Sequence, residues 1–67
     1  MENPSDAFWA ASSAWVAVAQ LADAGKPTAA AALHAKNASN AASAGKVREA
    51  QEHATKATDI REKHMGL

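Results

Sequence analysis

The chain has 67 residues, seven basic and seven acidic side chains, no cysteine, and 48% hydrophobic residues. This length excludes two domains, and the balanced charge gives no electrostatic footprint for a nucleic acid backbone. The absence of cysteine excludes disulfides, zinc–thiolate sites and thiol nucleophiles. Twenty of the thirty-two hydrophobic residues are alanine. Few large side chains are therefore available for a core, and we expect self-association to complete it.

Alanine-rich sequence favours helices, and no stretch alternates in the manner of a strand, so we predict a single all-α domain over residues 1–67. Glycine follows a helical run at Ala24-Gly25-Lys26 and at Ala44-Gly45-Lys46, where it is the usual residue that ends a helix. The pattern predicts helices over about residues 5–24, 27–43 and 46–64. They form a three-helix bundle, or a helical hairpin with a third helix.

Residues at the helix starts support these bounds. Asn3 or Ser5 can cap the first helix, with Pro4 in its first turn, and Pro27 is expected to open the second. The second helix contains four weak helix formers, namely Asn37, Ser39, Asn40 and Ser43. Whether it continues past Lys36 therefore stays open at the level of sequence.

A faint repeat has a period of twenty residues. Six residues around the first glycine recur around the second, namely Ala22, Ala24, Gly25, Lys26, Ala30 and Lys36 as Ala42, Ala44, Gly45, Lys46, Ala50 and Lys56. The run from Gly45 to Ala50, followed by Ala54 and Ala57, resembles the second helix of a tetratricopeptide repeat over about thirteen residues. The resemblance implies a helix whose small residues face a neighbouring helix, and it carries over no functional residue.

Helical spacing divides the first helix into two apolar strips. The expected core stripe consists of Phe8, Ala11, Trp15, Val18 and Ala22, with Ala14 and Leu21 beside it. On the second helix one side carries Ala31, Ala35, Ala38 and Ala42, and the other carries Ala30, Leu33, Ala41 and Ala44. On the third helix the apolar side carries Val47, Ala50, Ala54, Ala57, Ile60 and His64. Alanine stripes predict close contact between helix backbones.

The second strip of the first helix is the candidate binding site. Trp9 and Val16 lie about 80 to 100 degrees from Phe8, and the predicted partner-binding residues are Trp9, Val16, Ser12, Ser13 and Gln20. Trp9 either turns into the core or contacts a partner, and we slightly prefer a protein partner because tryptophan is enriched at binding hot spots. A lipid surface is disfavoured because the first helix has no lysine or arginine.

Catalytic and metal sites are not expected. Histidine occurs at positions 34, 53 and 64. Glu49 and His53 could supply two metal ligands, but no second pair is visible in the sequence. No serine has the strand–turn–helix setting of a nucleophile, and neither glycine belongs to a phosphate-binding loop. We therefore expect no enzymatic activity, no cofactor and no metal.

These patterns favour a small non-enzymatic protein-interaction module of the regulator, adaptor or inhibitor type. We expect a protein partner of unknown identity and a homo-oligomer, with a dimer favoured, and neither nucleic acid nor membrane as a partner. The alternative is a structural subunit of a larger helical assembly. Residues 1–25 carry three acidic side chains and no basic one. That is not typical of an export signal, and we expect a cytoplasmic location.

Overall fold

The structure, a computed structural model, describes residues 3–66. They form three helices: α1 (Pro4–Asp23), α2 (Ala29–Ser43) and α3 (Val47–Met65). Each helix packs against the other two, in a bundle measuring 37 × 18 × 14 Å. The structure confirms the all-α class and the three-helix bundle. It also shows that α2 continues beyond Lys36, through all four weak helix formers.

The helix starts differ in how they are capped. Asn3 is the N-cap of α1, where its side-chain oxygen accepts a hydrogen bond of 3.0 Å from the backbone N–H of Ser5, and Pro4 is the first helical residue. In α2 the N-cap is Thr28, which makes no side-chain capping bond. The expectation that Pro27 opens α2 is wrong, because the helix begins two residues later, at Ala29.

The two glycine turns have the same geometry. Gly25 and Gly45 have φ angles of 71° and 73°, in the left-handed region that favours glycine. The N–H of Lys26 donates to the carbonyl of Leu21 at 2.9 Å, and the N–H of Lys46 donates to that of Ala41 at 2.8 Å. These six-to-one bonds define the Schellman motif, which satisfies the last helical carbonyls. The sequence repeat is therefore a repeated helix ending.

Alanine methyl groups fill most of the core. Among residues 3–66 fourteen are buried, namely Ala7, Ala11, Ala14, Ala17, Leu21, Ala31, Ala35, Ala38, Ala41, Ala42, Val47, Ala50, Ala54 and Ala57. Twelve of these are alanine, and Leu21 is the largest side chain that is fully buried. Side chains this small permit close approach of the helix backbones. The close-packed alanine stripes expected on α2 and α3 are present.

The stripe predicted for the core of α1 is wrong at its two aromatic residues and at Ala22, whereas Ala11, with Ala14 and Leu21 beside it, is buried as predicted. Phe8 and Trp15 remain 59% and 44% exposed, and Ala22 is exposed as well. The helix instead buries its alanine side together with Leu21. Helices separated by methyl groups leave no room for aromatic rings between them, so the ring-bearing side of α1 faces outwards.

The other helices also leave predicted apolar residues outside. On α2, Ala41 is buried but Leu33 is 58% exposed, and on α3 Ile60 is only partly buried while His64 is exposed. Of the second apolar side predicted for α2, only Ala41 is buried, since Ala30 and Ala44 are exposed as well as Leu33. Within residues 3–66, each helix is too short or too polar to cross a lipid bilayer.

Candidate protein-interaction face

The outer side of α1 carries the large apolar side chains of this helix that the core excludes. We define the aromatic face as Phe8, Trp9, Ser12, Trp15 and Val16. Trp9 is 71% exposed and Val16 is 50% exposed, which adds to the exposure of Phe8 and Trp15. The face holds one phenylalanine and two tryptophans, which are all the aromatic residues of the chain apart from histidine. Such a concentration is typical of a binding surface rather than of a solvated helix face.

The geometry of α1 gathers these side chains into one patch. At 3.6 residues per turn they span an arc of about 120°, with Ser12 near its middle. The buried side, which includes Ala7 and Ala14, lies on the opposite side of the helix. The exposed apolar surface of the four large residues is on the order of 400 to 500 Å². That area is as large as the largest apolar patch on a typical monomer, and such patches are often functional.

No charge interrupts the aromatic face. The sixteen residues between Asp6 and Asp23 contain neither an acidic nor a basic side chain. The face therefore offers apolar contact and little electrostatic attraction. Cores of protein–protein interfaces are similarly depleted of charge and enriched in aromatic residues.

A hydrogen bond fixes one edge of the face. Nε1 of Trp15 donates to Oγ of Ser39 on α2, at 2.9 Å. The bond satisfies the only polar group of the indole and orients the ring along the α1–α2 seam. A ring that is already oriented loses less conformational freedom when a partner binds.

The predicted site residues separate into two groups. Trp9, Ser12 and Val16 belong to the aromatic face. Ser13 lines a shallow groove of about 350 Å³ between α1 and α3, where Trp9 also lies. Gln20 faces α3 as well, since its side-chain oxygen accepts a hydrogen bond of 2.8 Å from Nη1 of Arg61. Gln20 is thus engaged within the chain.

The sequence analysis missed Phe8 and Trp15 as members of the face. Helical spacing alone places Phe8 and Trp15 on one stripe with Val18, which predicts that this stripe is the core side, while Trp9 and Val16 fall on the binding strip. A second stripe of equal regularity was present, running through Ala7, Ala14 and Leu21. The signal that could have revealed this is the large number of alanines on the facing sides of α2 and α3. Side chains that small bring the helix backbones close together, and they leave no space for the rings of α1.

Two histidines form a contact that the spacing did not reveal. His34 on α2 and His53 on α3 bring their Nδ1 atoms to 3.1 Å, with the rings stacked at a centroid distance of 5.4 Å. One ring donates and the other accepts, so the contact requires at least one neutral imidazole. Partial burial lowers the pKa of His34 below its usual 6.5, and the charges of His53 and Lys56 lower it further.

Within the part of the chain that the structure describes, no three histidine or carboxylate side chains come together in a way that could hold an ion. Glu49 lines a groove between α2 and α3 with His53. The sequence had suggested this pair as two ligands, and the structure adds no third histidine or carboxylate.

Comparisons of the chain with protein-family models, with curated proteins and with solved structures found no match.

Proposed function

We propose that this protein is a non-enzymatic protein-interaction module that binds through the aromatic face of α1. The observation that carries the proposal is the exposure of Phe8, Trp9, Trp15 and Val16 on one uncharged side of a single helix. Exposing these side chains to water costs free energy that contact with an apolar surface recovers. A regulator, adaptor or inhibitor of another protein acts through such a surface.

The chemistry of the face specifies its partner. An uncharged, ridged helix surface with aromatic side chains fits an amphipathic helix or a helical groove that offers large apolar side chains. A nucleic acid does not fit, because α1 offers no cation for a phosphate. A lipid surface fits less well, since membrane-surface helices usually carry basic residues beside their apolar side. A cytoplasmic location is part of the same proposal, and imaging of a tagged chain tests it.

Capture from the native host with matched variants tests the proposal. Trp9→Glu places a charge in the aromatic face, whereas Leu33→Glu places the same charge at an exposed leucine on α2. We expect a partner that the wild type and Leu33→Glu retain and that Trp9→Glu loses, because a charge in an interface core is strongly disfavoured. Circular dichroism must show equal helicity in both variants.

Intrinsic fluorescence supplies an independent readout. Both tryptophans of the chain lie in the aromatic face, so the purified partner should shift their emission to the blue as water leaves the rings. Capture that is equal for wild type and Trp9→Glu, or an emission maximum that the partner leaves unchanged, contradicts the proposal. Binding to phospholipid vesicles with the same blue shift, in place of a protein partner, contradicts it as well.

A further inference from the structure

We infer that a second copy of this chain occupies the aromatic face, in an antiparallel, two-fold symmetric contact between the two α1 helices that is centred on Ser12. The inference rests on the proposed function, because it names a protein surface that the same face binds. It adds a partner, an orientation and a register.

The order of large residues within the aromatic face is symmetric about Ser12. Phe8 and Trp9 lie four and three residues before it, and Trp15 and Val16 lie three and four residues after it. A two-fold contact requires such self-complementarity, since each pairing occurs twice. In the antiparallel arrangement Phe8 and Trp9 of one copy lie against Trp15 and Val16 of the second copy, and the symmetry axis creates the reciprocal pairing.

The centre of the face allows the two helices to approach. Ser12 lies near the middle of the arc as well as at the midpoint of the sequence symmetry, and its side chain is small. The hydroxyl groups of the two copies come together at the axis, where each can donate and accept. The large side chains then enclose this centre from both ends.

Charge does not oppose the contact. The sixteen residues between Asp6 and Asp23 are uncharged, so no like-charged pair lies within the contact region. In an antiparallel pair the negative carboxyl end of each α1 lies beside the positive amino end of the other, which favours this orientation over a parallel one.

The area fits a weak, reversible dimer. Contact between two aromatic faces buries roughly 800 to 1,000 Å² of accessible surface, on the basis of the exposed area of their large residues. Adjoining residues such as Ala19 bring the total towards the roughly 1,200 Å² at which stable interfaces begin. The hydrogen bond from Trp15 to Ser39 holds one anchor in place before the copies meet.

Disulfide trapping tests the register, because the chain has no cysteine of its own. Ser12→Cys puts a thiol on the proposed axis, and Ser43→Cys puts one on the exposed side of α2 as the matched control. Under mild oxidation we expect Ser12→Cys to form covalent dimers at least ten times faster than Ser43→Cys, since facing helices bring these Cα atoms within disulfide range. Adding Trp9→Glu to Ser12→Cys should abolish the advantage.

Sedimentation of the wild type completes the experiment. We expect a reversible monomer–dimer equilibrium that Trp9→Glu shifts to monomer while helicity is retained. A monomer at all concentrations, equal cross-linking of the two cysteine variants, or growth beyond a dimer overturns the inference. If the chain stays a monomer but its capture of a different protein still depends on Trp9, this inference is wrong and the proposed function stands. If the chain forms the dimer but captures no other protein in a Trp9-dependent way, the regulator, adaptor or inhibitor role is wrong and this inference stands.

Discussion

Leu21 and Leu33 have the same side chain and opposite environments. Leu21 is fully enclosed in the core, where every other buried residue except Val47 is an alanine, whereas Leu33 is 58% exposed on α2. The stability of the bundle should therefore depend on one leucine and be almost indifferent to the other. The same Leu→Ala substitution at the two positions therefore tests the core, because only the environment of the side chain differs.

Leu21→Ala should lower the free energy of unfolding by about 2 to 5 kcal/mol, because it removes buried surface and leaves a cavity that stiff alanine-packed helices cannot close. Leu33→Ala should change it by about 0.5 kcal/mol or less. Urea denaturation followed by circular dichroism measures both. Equal losses in the two variants would mean that Leu21 is not the centre of the core.

The same contrast shows what the sequence could and could not predict. Glycine chemistry at Gly25 and Gly45 is local, so the number of helices and their approximate ends were predictable. The alanine stripe of α3 was predictable too, because its competing faces are polar, and so was the stripe of α2 through Ala31, Ala35, Ala38 and Ala42, although the second apolar side predicted for α2 is mostly exposed. The rotation of α1 was not, since both of its sides are apolar and the choice depends on the size of the facing residues. The contact of His34 with His53 was not predictable either, because it depends on how α2 and α3 pack together.

Ala38→Leu tests the close approach of the helices. Ala38 is fully buried on α2, and three added carbons have no space between backbones separated by methyl groups. The free energy of unfolding should fall by about 1 to 3 kcal/mol or more. Ala30→Leu makes the same change at an exposed position of the same helix and should have little effect. Similar denaturation midpoints for the two variants would contradict the alanine-packed core.

The bond between Trp15 and Ser39 should contribute to the stability of the α1–α2 contact. Ser39→Ala should cost about 0.5 to 1.5 kcal/mol, towards the lower value because the bond is exposed. Trp15→Phe removes the donor instead. In the double variant the losses should be less than additive, because each substitution alone removes the same bond. Strict additivity in urea denaturation would show that the pair does not interact in solution.

Stability should decrease below neutral pH because of the histidine contact. In the folded chain partial burial lowers the pKa of His34 below 6.5, with smaller contributions from His53 and Lys56. In the unfolded chain His34 takes up its proton near 6.5. Between these two values the unfolded state binds more protons, so the free energy of unfolding falls as pH decreases. The stability that neutral His34 contributes is therefore complete above pH 6.5, and it is lost below the pKa that His34 has in the folded chain.

The neighbouring cations act in the same direction as burial. Protonating both rings would place two cations at 3.1 Å, with Lys56 close by, and Glu49 lines the adjoining groove. His34→Gln removes the titrating group, so the Tm should fall less between pH 8 and pH 5 than in the wild type. His64→Gln alters an exposed histidine on α3 and should retain the wild-type slope. Parallel Tm curves for wild type and His34→Gln would show that the pair does not link stability to pH.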